Sequence, residues 1–256
     1  MNRAAASTYA MPPATNTSRG NHNLPFIAAV VLAAIVPAIA QMGGGAGGDL
    51  QQKIAFVKQS VAENQQRLHR YQWVETTQPT LKGEDKPPTQ FLCQYGPDGT
   101  VQKTPIGLPP EPPSGGRLKQ RVIEKKKEEM QDYMAQVKSL LGMYVPPDPQ
   151  KMGQAFQTGN ASLNSTPGSQ GVEIVFRNYA QPGDQMTLSF DTSTRKVSSV
   201  NVNTYMDELK DTVTLTVQMA SLPDGTNYVR QTVLDATAKK LQVTTTNYNY
   251  QPMGAQ

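Results

Sequence analysis

Histidine and cysteine are scarce in this chain, and that scarcity limits its chemistry. His22 and His69 are the two histidines, and Cys93 is the one cysteine. A zinc centre needs three or four ligands, drawn largely from these residue types. His22 lies in a leader-like N-terminus, which leaves His69 and Cys93. A serine nucleophile would have to recruit His69, beside Arg67 and Arg70 at the end of a helix, and no G-x-S-x-G turn occurs. P-loop and EF-hand patterns are also missing from the sequence. Gly43, Gly45 and Gly48 satisfy G-x-G-x-x-G in form. A dinucleotide site requires a strand in front of those glycines, and here the leader stands there. Paired acids remain, namely Asp207 with Glu208 and Asp184 with Asp191. Such pairs can hydrolyse glycosides, but all four lie in turn sequence, where acids collect on any protein. The chain is therefore expected to be no enzyme and to need no cofactor or metal.

Composition fits an exported, β-rich protein and excludes a multi-span membrane protein. Hydrophobic residues make up 37% and charged residues 17% of 256. Both are low for a globular domain, and Thr, Gln, Asn and Ser fill the gap. Lys and Arg number 24 against 20 Asp and Glu, a formal charge of +4. Arg3 and Arg19 are the only charges in the first 40 residues, so the rest carries 22 basic against 20 acidic residues. That balance is too even to imply a nucleic-acid partner, which needs a concentrated basic surface. With one cysteine no intramolecular disulfide can form, so stability must come from an ordinary core.

The first 40 residues read as a secretory signal. Acid-free sequence precedes an 11-residue apolar run, Phe26 to Val36, then Pro37 and the small-x-small pattern Ala38-Ile39-Ala40. Leu24 to Ala40 contains two prolines and falls short of the ~20 residues that cross a bilayer. Cleavage after Ala40 is expected, with an exported product, periplasmic or secreted. From Met1 the leader is long; a start at Met11 would be more usual and gives a 30-residue signal.

Residues 41–48 form a glycine-rich tether, and residues 49–250 are expected to make one α+β domain followed by a tail at 251–256. Asp49 can cap a first helix to about Arg70, with Leu50, Ile54, Val57, Val61 and Leu68 on one face. Three extended segments follow: one from Tyr71 to Thr76, one alternating Phe91, Cys93 and Tyr95, and one ending near Thr104, with turns at Gly83-Glu-Asp85 and Gly96-Pro-Asp-Gly99. The run 108–116, LPPEPPSGG, is a proline-rich spacer. A second helix is predicted from Arg117 to Leu141, with Met130, Met134, Val137 and Leu141 on its apolar stripe. Asp148 caps a short third helix with Pro149 at its first position, ended by Gly159.

From Gly171 to Tyr250 the apolar period falls to two, over six strands joined by short turns. That pattern predicts an antiparallel meander with one apolar face. Cys93 shares parity with Phe91 and Tyr95 and should be buried and inert. A two-layer domain must cover its apolar sheet face, and the helices offer only narrow stripes. Either loops and aromatics such as Phe176 and Phe190 fill the space, or the remainder is a pocket for an acyl chain. The predicted lining of that pocket is Met130, Met134, Leu188, Val202, Leu215 and Val217. Arg117, Lys119, Arg121, Lys125, Lys126 and Lys127 could add peripheral contact with anionic lipid headgroups. Interleaved Glu124, Glu128 and Glu129 fit an ordinary solvated helix face as well.

Helix, three strands, a two-helix insertion and a meander: this order resembles the periplasmic lipoprotein-localisation carriers. The resemblance implies a curved antiparallel sheet, an incomplete barrel, packed against two or three helices with acyl chains held between them. Tyr71-Gln-Trp-Val-Glu-Thr-Thr77, Gln94-Tyr-Gly-Pro-Asp-Gly99 and Asn203-Thr-Tyr-Met206 also look like segments of uncharacterised exported bacterial proteins. The function expected is a non-catalytic cell-envelope binding protein for lipid or lipidated protein. The alternative is a structural or assembly partner with a filled core and no small ligand.

Overall fold

Alternating side chains, short turns and β-branched runs fold the larger part of the regular structure among the described residues into one antiparallel sheet. The computed structural model describes residues 63–107, 117–165, 171–191, 193–194 and 196–254. The leader with Ala38 and Ala40, the tether at 41–48, the start of the first helix and the spacer at 108–116 lie outside the described residues, as do the side chains of Arg117 and Lys119.

The strands run β1 (Tyr71–Leu81), β2 (Glu84–Asp85), β3 (Thr89–Tyr95) and β4 (Val101–Ile106), then β5 (Ala161–Ser165), β6 (Gly171–Arg177) and β7 (Gln185–Asp191). After them come β8 (Lys196–Tyr205), β9 (Thr212–Ser221), β10 (Asn227–Ala236) and β11 (Leu241–Pro252). Their order across the sheet is β4-β3-β1-β11-β10-β9-β8-β7-β6-β5, with β2 paired to β1 outside that path. All six strands expected from Gly171 onward form, and they pair as a meander. The first strand joins the last, from Tyr71 opposite Pro252 to Leu81 opposite Leu241. Gln251 and Pro252 are thus part of the sheet. The sheet does not close into a barrel: β4 and β5 are left as edges. The fold is α+β but dominated by its sheet. Edge strands invite unwanted pairing. β5 is short, and β4 carries Lys103 and Pro105.

Helix α1 (Arg117–Leu141) has the bounds predicted for the second helix. Its second half buries Tyr133, Met134, Val137, Leu140 and Leu141. Helix α2 (Pro149–Gln157) starts at Asp148, whose Oδ1 accepts the Gln150 N–H at 2.8 Å. Gly159, at φ 73°, supplies the left-handed residue just past its end. A helical turn at 63–68 is tied to β10 by two hydrogen bonds between Asn64 and the Asn227 backbone.

One face of the sheet is continuous from edge to edge, but its chemistry changes along the way. The row Val243, Leu234, Leu215, Val202, Met186, Phe176 is apolar throughout. It packs with the buried residues of both helices into one core. Each such side chain contributes about 1.5–3 kcal/mol. The neighbouring row starts as Thr77, Thr245 and Thr232 before reaching Val217 and Val200. Thus β10, β11 and β1 turn buried hydroxyls and amides inward where an apolar face was expected. Trp73 Nε1 donates to Asn247 Oδ1 at 3.1 Å, and Asn247 Nδ2 donates to the Val229 carbonyl at 3.0 Å. These bonds offset the cost of burying polar groups.

Candidate functional site

Lysines at two neighbouring turns meet an apolar helix stripe to form an open groove. Leu81 ends β1, and the turn at Lys82 and Gly83 leads back into β2. On the adjacent strand, a 3₁₀ turn (Thr237–Lys239) and Lys240 lead into β11. The Lys82 N–H donates to the Lys240 carbonyl at 2.7 Å, locking the two turns together. Both lysines have left-handed backbone, φ 56° and φ 49°, which is uncommon for residues other than glycine. Opposite them lies the middle of α1.

The groove encloses about 990 Å³. Leu81, Met130, Met134 and Ala238 give its apolar lining. Lys82, Lys86, Lys126, Lys127, Lys239 and Lys240 contribute six ammonium groups, against Glu84 and Glu129. Lys86 pairs with Glu84 at 2.8 Å, and its hydrogen bond and charge hold that carboxyl below the usual range. Lys239 Nζ sits 5.4 Å from the centre of the Tyr133 ring, a cation–π contact. Apolar lining beside a surplus of cations suits one kind of ligand: an amphiphile with an anionic end.

Of the six residues predicted to line an acyl pocket, Met130 and Met134 border this groove. Leu188, Val202, Leu215 and Val217 are buried deeper, packed in the core with Phe176 and Phe190. From the predicted basic helix face, Lys126 and Lys127 reach the groove; Arg121 and Lys125 stand exposed on the same helix half. Leu81, Lys82, Lys86, Lys239 and Lys240 were missed. Each lysine reads locally as turn punctuation, and only the β1–β11 pairing brings them together.

A family-model search matches nothing, and neither does a search of curated proteins. Among solved structures, the chain is similar to a DUF1329 family protein from Desulfovibrio piger at 8% identity and a TM-score of 0.33. That match covers 76% of this chain and 92% of the other. A likeness this distant carries no argument about function.

A second cluster lies on β1, β3 and β4. Glu75 Oε1 accepts from Lys103 Nζ at 2.5 Å, with the side chains 1% and 12% exposed. Glu75 Oε2 is buried without a hydrogen-bond partner. Cys93, opposite Trp73 and Lys103 in register, is fully buried. Burial first, then the Glu75 charge, pushes its thiol up to about 12. At neutral pH it is an inert thiol, as its parity predicts. Trp73 stacks on Tyr250 at 5.4 Å, and His69 stacks on Tyr95 at 4.4 Å.

The acid pair Asp184 and Asp191 does not assemble. Asp184 precedes β7 and Asp191 ends it, which separates the two by roughly 20 Å. Glycosidase carboxylates stand within about 10 Å.

Thiol and phenol groups that are buried or half-buried give the protein an alkaline limit. Desolvation raises Cys93 from 9.0, and Tyr95, Tyr133 and Tyr179 from 10.0, each to about 12. The folded state holds these protons while the unfolded chain releases them, so stability falls as pH rises above each unfolded value. Urea midpoints should be level up to about pH 8.5 and drop steadily from about pH 9 to 12. A midpoint unchanged at about pH 11 would contradict the burial of these groups.

Proposed function

We propose that this is an exported, non-catalytic binding protein of the cell envelope that takes a lipid, or the acyl group of a lipidated protein, into the lysine-rimmed groove. The observation that carries this reading is the pairing of Leu81, Met130 and Met134 with six lysines around one opening. Its volume lies near the top of the ~300–1,000 Å³ usual for single-ligand sites. Methionine adapts to chains of different shape. The leader argues for export. The order of elements, similar to that of carriers with an incomplete barrel, agrees with the same role.

A second reading has its own support. Phe176, Phe190, Leu188 and Leu215 close the space between sheet and helices. A filled core of this kind suits a structural or assembly partner of the envelope.

Titration with a fluorescent fatty acid separates the two. One-site saturable binding is expected, weakened about tenfold in Met130→Glu, a change worth roughly 1.4 kcal/mol. Met130 is only partly buried, so circular dichroism should be unchanged. No saturable binding by the wild type would put the assembly-partner reading ahead.

A further inference from the structure

We infer that the ligand of the groove is a single phospholipid whose headgroup is net negative, its phosphate held by the lysines of the two turns and of α1. This rests on the lipid-binding reading above and adds the chemistry of the headgroup. The lining holds six lysines and two glutamates, an excess of four positive charges. Without the leader's Arg3 and Arg19 the chain carries 22 basic against 20 acidic residues. Outside the groove that leaves 16 basic against 18 acidic residues, so the positive excess is gathered at one opening. Glu84 is already engaged by Lys86, which leaves Glu129 as the other carboxylate against five further ammonium groups.

The backbone adds an independent sign. Lys82 and Lys240 each occupy a left-handed conformation that glycine or asparagine adopts more readily. Stability alone would favour those residues there. Lysine at both positions, joined by the Lys82–Lys240 backbone hydrogen bond, puts a basic residue from each of two neighbouring turns in the groove lining. The apolar part of the lining accounts for one chain of the lipid, and the lysine rim accounts for its phosphate. A zwitterionic headgroup would bring its own cation into this rim and be disfavoured.

The test uses lysophosphatidylglycerol and lysophosphatidylcholine of equal chain length, each displacing the fluorescent fatty acid from the purified protein. The glycerol lipid should bind about tenfold more tightly at low salt. That preference should shrink to about twofold in Lys127→Gln/Lys240→Gln, and in wild type at roughly 0.5 M salt, where screening is short-ranged. Both substitutions are at exposed positions, so the fold should persist. Equal affinity for the two lipids, unmoved by the substitutions, would overturn the headgroup inference and leave the lipid reading standing. Failure of every lipid and of the fatty acid to bind would bring down the lipid reading itself. Displacement by inorganic phosphate alone would make the site one for free phosphate. Sedimentation with phosphatidylglycerol vesicles, without binding of monomeric lipid, would make it a membrane-docking surface. Either of the last two results also overturns the inference.

Discussion

Replacing Asp184 with alanine should cost about 4 kcal/mol of stability, a large part of the ~5–15 kcal/mol that holds a domain together. Asp184 is buried at the turn between β6 and β7. Its carboxylate accepts the backbone N–H groups of Tyr179, Ala180 and Gln181 at 2.5, 2.9 and 2.7 Å. It also accepts the Tyr144 hydroxyl at 2.6 Å. A tyrosine has one hydroxyl hydrogen, so at the 2.8 Å contact with Thr204 it is Thr204 that donates to Tyr144. Thr204 in turn accepts from Gln181 Nε2 at 2.7 Å. The network fastens the segment after α1 to β8 and to the β6–β7 turn. Alanine would leave several donors buried and unpaired, each at a cost of about 1–3 kcal/mol. Tyr144→Phe, which leaves the backbone contacts intact, should cost only about 1–2 kcal/mol. Urea unfolding should show a lower midpoint with an unchanged slope. A loss below about 1 kcal/mol for Asp184→Ala would mean that water replaces the carboxylate there.

Lys103→Met should cost about 3 kcal/mol, because it strands the Glu75 carboxylate in the interior. Glu75 is 1% exposed and Lys103 is its partner at 2.5 Å. Removing both charges, in Glu75→Leu/Lys103→Met, should cost less than either single change. The buried Glu75 Oε2 strengthens this expectation, since half of the carboxylate is already without a hydrogen bond. Additive single costs in the double-mutant cycle would show that the two charges do not depend on each other.

Much of this fold is legible wherever burial is one-sided. Met186, Leu188 and Phe190 alternate cleanly and all three are buried. The stripe of α1 marks its second half and its end, and Asp148 with Pro149 gives the start of α2. β5 escapes notice because it is a polar edge strand: Leu163, its one large apolar residue, is 52% exposed. Bulges defeat the period of two. The register shifts at Ser198 and at Arg230, and Asn249, at φ 55°, lies within the irregular pairing of β1 with β11. The polar half of the inner face is hidden for a different reason. Thr77, Thr232 and Thr245 read as solvent-facing by type, yet all three are buried. Of the groove, the helix side was visible as Met130, Met134, Lys126 and Lys127. The turn side depends on a pairing between β1 and β11, strands some 160–180 residues apart in sequence, and no local pattern encodes that.

Native mass spectrometry of the protein purified from its native cells tests the central claim most directly. A single lipid in the groove predicts a one-to-one adduct with the mass of a phospholipid or of an acylated peptide. Collisional activation should release it, and Met130→Glu should deplete it. Protein that emerges with no adduct, from gentle extraction and with its fold intact, would contradict the account.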